Sequence, residues 1–258
     1  MTVSYGAGAA YAPDAIIEAS TQLDFHDPLA PGAWRRGIAT ADVDYSLQEA
    51  SQRLRTDAAR VIDHLEGGGS PNDEYLVRKV RRVNEGCAAM NANIESQASR
   101  WLDAGRIVGL VGGDHSTPYG LIRALGARHA EFGILHIDAH CDLRDAYEGF
   151  EFSHASIMFN VLRDVPQAER IVEVGVRDYC DAEAELARSS ERIRMFDDTQ
   201  LSAAAFEGET WGATCRRIVA ELPERVYVSF DIDGLTFENC PHTGTPVSGG
   251  LTFNEAVW

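Results

Sequence analysis

The sequence predicts an α/β fold in which a mainly parallel sheet is covered by helices on both faces. Short apolar runs rich in β-branched residues alternate with longer stretches of helical periodicity, and this βαβα order is typical of parallel sheets. The chain has 258 residues, of which 45% are hydrophobic, so it can bury a large core. We expect a single domain over residues 1–258.

The predicted strands are short apolar runs, and the predicted helices are longer stretches with apolar residues on one face. Residues 67–71 read Gly-Gly-Gly-Ser-Pro, a composition typical of loops, and Asn72 and Asp73 can cap the helix that follows. We interpret this segment as a helix-to-helix loop within one domain. In chain order we predict helices at 47–66 and 74–102, a strand at 107–111, a helix at 119–129, strands at 132–137 and 171–176, a helix at 211–222 and a strand at 226–232.

The composition limits the classes of partner. The formal net charge of -17 disfavours nucleic acid, because binding there depends on basic residues that neutralise phosphates. The five cysteines form no CxxC pair, which argues against a disulfide framework and fits a reducing cytoplasm. The sequence opens without signal-peptide features, and no apolar run approaches the length of a membrane span. We expect a cytoplasmic protein with neither a nucleic-acid nor a membrane partner.

One short motif places three ionisable side chains on the same side of the chain. It reads Asp-Ala-His-Cys-Asp over residues 138–142 and follows a predicted strand. Along an extended backbone, residues i, i+2 and i+4 point to one side, so Asp138, His140 and Asp142 should converge. Such groups would repel one another, or be costly to bury, without a counter-ion. The motif therefore predicts a cation site.

Two further motifs also follow predicted strands. Asp231 and Asp233 alternate in Asp-Ile-Asp, and His115 lies in Gly-Gly-Asp-His-Ser. Open α/β sheets gather ligand sites beyond the carboxyl ends of their strands, so we expect all three motifs at one edge. Either of these two motifs alone could be structural. The candidate metal ligands are His115, Asp138, His140, Asp142, Asp231 and Asp233.

These candidates favour a pair of manganese ions. Four carboxylates and two imidazoles are enough for two divalent ions that share bridging aspartates. Four aspartates also neutralise the charge of two such ions. Sites dominated by carboxylates suit Mn²⁺ better than Zn²⁺, which favours tetrahedral shells rich in thiolate or imidazole. We predict two Mn²⁺ ions per chain.

Three residues near the motifs are candidates for catalysis or substrate binding. His154 comes twelve positions after Asp142, and a loop that returned it to the metals would make it a proton shuttle; the alternative is a surface or capping histidine. Arg144 could pair with a substrate carboxylate or be a solvated loop residue. Residues 240–246 are dense in turn formers and could form a rigid pocket wall, with Thr245 as a substrate-binding candidate.

Together the motifs GGDHS, DAHCD, SHAS, SFDIDG and TGTPVSGG resemble those of the ureohydrolase family, which includes arginase and agmatinase. Residues 3–6 and 13–16 resemble the N-terminal signature of the agmatinase side. The resemblance implies a three-layer α/β/α arginase-like fold, a dinuclear Mn²⁺ centre and hydrolysis of a guanidinium group to urea and an amine. It also implies a homo-oligomer, since ureohydrolases commonly form trimers or hexamers.

The resemblance also assigns roles to the candidates. Asp138 and Asp231 would bridge the ions, Asp142 would be catalytic as well as a ligand, and His154 would help to protonate the departing amine. The general likeness favours agmatine as substrate, giving putrescine and urea, whereas Arg144 favours arginine or another guanidino acid. One ion would be held by His115, Asp138, Asp142 and Asp231, and the other by Asp138, His140, Asp231 and Asp233.

The sequence departs from the family pattern in two respects. Leu235 is followed by Thr-Phe-Glu where members usually have Asp-Pro, which changes a turn but no ligand. The chain is also expected to lack the family's first strand and its C-terminal strand and helix units. Two other interpretations stay open: a deacetylase-like relative with a single zinc ion, and a catalytically silent regulatory subunit of arginase-like fold.

Overall fold

The structure, a computed structural model of the chain, describes residue 2, residues 7–41 and residues 44–258. It contains the strands β1 (Phe132–Ile137), β2 (Ala168–Val174), β3 (Ile193–Phe196) and β4 (Val226–Phe230). They form one sheet in the order β3-β2-β1-β4, and every neighbouring pair is parallel. This confirms the predicted parallel α/β class. The signature at residues 3–6 lies outside the described residues.

All four predicted helices are present, and each end lies within three residues of its predicted position. Within the described ranges, none of the helices combines the length and apolar content that a bilayer crossing requires. The α-helices are α1 (Ala12–Ser20), α2 (Tyr45–Glu66), α3 (Glu74–Asp103), α4 (Tyr119–Gly126), α5 (Ile157–Asp164), α6 (Asp181–Ser189), α7 (Asp198–Phe206), α8 (Trp211–Ala220) and α9 (Phe253–Val257).

Helices cover both faces of the sheet. On one face, Ile134 and Ile171 pack in a buried cluster with Met158 of α5 and with residues of α4. On the other face, Val172 packs in a separate cluster with Ile218 of α8. Successive strand residues point to opposite faces, so neighbours such as 171 and 172 enter different clusters. The arrangement confirms the expected three-layer fold.

The helices α2 and α3 form a long hairpin. The carboxylate of Asp73 accepts hydrogen bonds from the main-chain nitrogens of Tyr75 (2.8 Å) and Leu76 (3.3 Å), so the predicted cap of α3 is present. An ion pair joins the two helices, with Nζ of Lys79 lying 2.5 Å from Oδ1 of Asp57. The buried apolar core of the hairpin consists of Leu54, Ala58, Val61, Ile62, Leu76, Val83, Cys87 and Phe150.

The predicted strand at 107–111 does not form, and that prediction was wrong. Its side chains do alternate: Val108 and Leu110 pack against a cluster between α3 and α4, whereas Ile107 is 99% exposed and Val111 is 51% exposed. However, no described residue forms a strand ladder with its backbone. A strand requires a hydrogen-bonded partner, which alternation alone does not supply.

The other differences in the strands are local. β4 ends at Phe230 because Asp231 caps a short 3-10 helix, Ile232–Gly234. β2 ends before Gly175, whose φ of +87° is incompatible with an extended strand. β3 was not predicted, because it has only four residues and includes Arg194, too little for a periodic signal.

Candidate metal centre

The candidate ligands meet where β1 and β4 end. Asp138 follows β1 directly, and Asp231 follows β4 directly. The two strands are neighbours and parallel, so their carboxyl ends lie at the same edge of the sheet. The main-chain nitrogen of Asp231 donates to the oxygen of Ile137 at 2.9 Å, which holds the two turns together.

Asp142 reaches the cluster differently from the prediction. Its φ of +53° is left-handed, a conformation that aspartate tolerates better than most residues. Its main-chain oxygen accepts hydrogen bonds from Met158 (3.0 Å) and Phe159 (3.2 Å), which are in α5. The convergence of Asp142 with Asp138 therefore results from a turn fixed by a helix, and not from an extended backbone that continues to residue 142 as we expected.

Asp231 and Asp233 lie on a 3-10 turn rather than on one face of a strand. Oδ1 of Asp231 accepts from the nitrogen of Asp233 at 3.2 Å. Oδ1 of Asp233 accepts from the nitrogen of Ala139 at 3.2 Å. The second contact brings the turn after β4 against the turn after β1, so both aspartates still reach the site.

One group of ligand atoms surrounds Nδ1 of His115. This nitrogen lies 2.7 Å from Oδ2 of Asp138 and 3.1 Å from Oδ2 of Asp142. Oδ2 of Asp231 is 3.4 Å away from it. The four side chains are those that the family resemblance assigns to one ion.

A second group surrounds Nδ1 of His140. It lies 3.3 Å from Oδ1 of Asp138 and 3.4 Å from Oδ2 of Asp233. The two oxygens of Asp138 thus face different groups, as a bridging ligand requires. Imidazole nitrogens with carboxylate oxygens suit divalent transition metals. Two sets of atoms close enough to hold an ion are His115, His136, Asp138 and Asp142, and Asp138, His140 and Asp233.

Charges within the cluster compensate one another. Burial and the nearby charge of Asp138 raise the pKa of Asp142 to about 7, and they raise the pKa of Asp231 to the same value. Although burial opposes it, hydrogen bonds with Asp138 and Asp142 raise the pKa of His115 well above its usual range. Burial likewise lowers the pKa of His140, but the carboxylates of Asp138 and Asp233 outweigh this effect and raise it to about 11. Protons therefore occupy this cluster near neutral pH, and a cation must displace them.

Sequence reasoning missed two buried residues behind the cluster, His136 and Glu173. They are register partners on β1 and β2, and both are 0% exposed. Nε2 of His136 lies 2.9 Å from Oδ2 of Asp138. A signal for His136 was present, because it precedes Asp138 by two residues and so continues the same alternation back into the strand.

His154 is a partly buried histidine at the start of a 3-10 turn. Its ring meets that of Tyr147 edge to face, with the centroids 5.9 Å apart. Burial lowers the pKa of His154; Asp114 opposes this effect, and the charges of His140 and His115 add to it. The imidazole is therefore neutral at neutral pH, and its role as a proton shuttle stays a prediction.

The two candidate substrate-binding residues both contact protein groups. Nε of Arg144 lies 3.4 Å from Oε2 of Glu183, and its guanidinium lies over the ring of Tyr147 at 5.1 Å from the centroid. The hydroxyl of Thr245 donates to Oδ2 of Asp233 at 3.1 Å. Thr245 thus orients a candidate ligand, and substrate contacts of either residue stay predictions.

Comparison of the chain with known sequences shows which protein family it belongs to. The sequence model of the arginase family matches residues 1–257. The N(1)-aminopropylagmatine ureohydrolase of Thermus thermophilus is 33% identical over 164 residues, which are 64% of this chain and 52% of that protein. The guanidinobutyrase of Pseudomonas aeruginosa is 31% identical over 170 residues, which are 64% of this chain and 51% of that protein. The chain thus spans about half the length of these relatives.

Comparison with solved structures finds proteins of similar fold. The match to the crystal structure of the agmatine ureohydrolase of Thermoplasma volcanium covers 99% of this chain and 71% of that one, with a TM-score of 0.69 and 21% identity. This likeness concerns the fold alone, whereas the family match extends over residues 1–257. The chain is a member of the arginase family.

Proposed function

We propose that the protein is a dinuclear metal hydrolase that cleaves a guanidinium group to urea and an amine. The observation that carries the proposal is the position of Asp138. Its two carboxylate oxygens face the imidazoles of His115 and His140, which is how a bridging ligand would join two ions. Such paired sites activate water for hydrolysis.

In this proposal the cluster would hold two Mn²⁺ ions, with Asp138 and Asp231 as ligands common to both. When bound, the pair would lower the pKa of water and stabilise negative charge, both of which a poorly electrophilic guanidinium carbon requires. Asp142 belongs to the catalytic set as well as to the ligands. The full proposed ligand set is His115, Asp138, His140, Asp142, Asp231 and Asp233.

In this proposal His154 transfers a proton to the departing amine. Its neutral imidazole can take up a proton and return it to the departing amine. We expect His154→Ala to retain both ions and to lower kcat by about 10²–10⁴-fold. Unchanged turnover would remove His154 from the mechanism, and loss of the ions would show a structural role instead.

We propose agmatine as the preferred substrate. Arg144, the residue that would favour a guanidino acid, already contacts Glu183 and Tyr147. Agmatine has no carboxylate and needs no such partner, and the acidic chain attracts cationic molecules weakly. One relative is named an aminopropylagmatine ureohydrolase and another a guanidinobutyrase. Arginine and 4-guanidinobutyrate are therefore the alternatives to test.

The test measures bound metal and released urea together. The protein is loaded with Mn²⁺, ions per chain are counted, and urea is assayed with agmatine, arginine, 4-guanidinobutyrate and guanidine. We expect two ions and the highest kcat/KM with agmatine. Asp138→Asn should lose both ions and activity, whereas Asp181→Asn should keep them, since Asp181 is an exposed residue at the start of α6.

Other outcomes would contradict the proposal. A single tightly bound zinc would favour the deacetylase-like interpretation. Two manganese ions with no urea from any of the four compounds would favour the catalytically silent regulatory subunit.

Three further expectations from the sequence stay predictions. They are assembly as a trimer or hexamer, a single domain over residues 1–258 and a cytoplasmic location.

A further inference from the structure

Two side chains buried behind the candidate metal centre have polar atoms without hydrogen-bond partners. Glu173 and His136 are both 0% exposed. Neither carboxylate oxygen of Glu173 has a partner among the described residues, and the same is true of Nδ1 of His136. The thiol of Cys141 interacts with Glu173, but a thiol is only a weak donor. Unpaired groups of this kind are costly to bury and call for an explanation.

The two unpaired groups face each other. Oε1 of Glu173 lies 4.0 Å from Nδ1 of His136, and the residues are opposite one another in the register of β1 and β2. A movement of about 1 Å by either side chain would bring the atoms to hydrogen-bond distance. Because strand register fixes both backbones, the pair would form without rearranging the fold.

The contact made by Nε2 of His136 shows which nitrogen of this ring donates a hydrogen bond and which accepts one. Nε2 lies 2.9 Å from Oδ2 of Asp138. An ionised carboxylate only accepts hydrogen bonds, so Nε2 carries the proton. Nδ1 of a neutral imidazole is then an acceptor, and the group opposite it must donate.

We propose that Glu173 and His136 are positioning residues for Asp138, with Glu173 as a carboxylic acid that donates to Nδ1 of His136, so that Nε2–H of His136 is held toward Oδ2 of Asp138. The inference rests on the proposed metal centre, in which Asp138 is the ligand common to both ions. Hydrogen bonds behind metal ligands orient them and are worth about 10–100-fold in metal affinity.

The surroundings of Glu173 support the neutral form. Burial, together with the charges of Asp138, Asp142 and Glu183, raises the pKa of Glu173 well above its usual range. A further buried anion here would repel the carboxylates that hold the cations. A protonated Glu173 avoids that repulsion and supplies the donor that His136 lacks.

The test compares metal affinity in variants of Glu173, using Mn²⁺ alone and Co²⁺ alone as probes. Glu173→Gln keeps an N–H donor and should bind Mn²⁺ within about twofold of the unmodified chain. Glu173→Met removes the donor and should bind about 10–100-fold more weakly. The visible absorption of bound Co²⁺ should change in the Met variant and be restored in the Gln variant.

A control and a double variant separate positioning from general loss of packing. Val172 is buried on the opposite face of β2, so Val172→Ala should lower the melting temperature without changing Mn²⁺ affinity. If Glu173 acts through His136, adding Glu173→Met to His136→Phe should weaken binding no further.

The outcomes distinguish this inference from the proposed function. Fewer than two ions in the unmodified chain would contradict the dinuclear centre itself. Two ions with unchanged affinity in Glu173→Met would overturn the positioning role alone. Equal weakening in the Gln and Met variants would also overturn it, because it would show that Glu173 acts through its charge.

Discussion

The guanidinium of Arg177 donates a hydrogen bond of 2.7 Å to the main-chain oxygen of Asp233. It also donates to the main-chain oxygens of Gly175 (2.9 Å), Leu235 (3.2 Å) and Val247 (3.1 Å). One side chain thus joins the turn after β2 to the turn that carries two candidate ligands. Through these hydrogen bonds, Arg177 holds the main chain of Asp233 in position relative to the sheet.

Replacing Arg177 should therefore destabilise the fold. We expect Arg177→Met to lower the free energy of unfolding by about 2–3 kcal/mol, since hydrogen bonds from a charged donor are lost and several carbonyls lose their partner. Urea unfolding measures the change. Arg188 is 73% exposed and pairs with Glu185 on the same helix, so Arg188→Met should change stability by less than about 0.5 kcal/mol. Equal effects would show that the Arg177 contacts contribute little.

Gly250 should not tolerate a side chain. Its φ is +96°, and a Cβ there would lie 2.7 Å from the oxygen of Gly234 and 2.9 Å from Nη2 of Arg177. Conformational strain alone costs about 1–3 kcal/mol, and the contact would also displace Arg177. We expect Gly250→Ala to lower the melting temperature clearly. Gly244→Ala has nothing within 4 Å of its Cβ and should not; a similar loss in both variants would contradict the described packing.

How well the sequence predicted the site depended on whether the signal was local. Asp138, His140 and Asp142 lie within five residues of chain, so their convergence was expected from spacing alone. The left-handed turn that brings Asp142 into the site depends on contacts with α5, and the sequence did not predict it. The pair of His136 and Glu173 was missed because it depends on the register between two strands, which no single stretch of sequence encodes.

The same distinction explains the fold predictions. The long helices α2 and α3 were predicted nearly to the residue, since their periodicity extends over 22 and 30 residues. The segment 107–111 has the composition and alternation of a strand, but strand formation depends on a partner elsewhere in the chain. The short β3 forms because β2 lies beside it, despite a weak signal of its own.

The ion pair inside the helical hairpin should contribute strongly to stability. The carboxylate of Asp57 is 8% exposed and lies 2.5 Å from Nζ of Lys79 and 3.1 Å from Nη1 of Arg82. Removing one partner of a buried pair leaves an uncompensated charge, so we expect Asp57→Ala to lower the free energy of unfolding by about 3–5 kcal/mol. Glu49, whose pair with Arg53 is largely exposed, provides the control: Glu49→Ala should cost less than about 1 kcal/mol.

Acid should reduce the contribution of this pair. The hydrogen bond from Lys79 holds the pKa of Asp57 below its usual range. A lowered folded-state pKa stabilises the protein above the unfolded value of about 3.9, and this stabilisation is lost as the pH falls through the folded value. We therefore expect the difference between the unmodified chain and Asp57→Ala, measured by urea unfolding, to be smaller at low pH than at pH 7. A constant difference would show that packing, rather than charge, dominates.

Metal binding should be linked to release of protons from the cluster. The pKa values of Asp142 and Asp231 are raised to about 7, so below pH 7 both carboxyls hold protons that a cation must displace. Each proton released makes the affinity rise about tenfold per pH unit below the pKa. We expect apparent Mn²⁺ affinity to increase at least about tenfold from pH 6 to pH 8. Titration calorimetry in buffers of different ionisation enthalpy measures both the affinity and the number of protons.

A variant distinguishes this linkage from a general effect of pH on folding. Asp142→Asn cannot release a proton at that position, so its Mn²⁺ affinity should be weaker and should depend less steeply on pH. Asp181 is an exposed residue at the start of α6, so Asp181→Asn should reproduce the pH dependence of the unmodified chain. Binding that is independent of pH in the unmodified chain would contradict the linkage, because it would show that none of the ligands releases a proton when the cation binds.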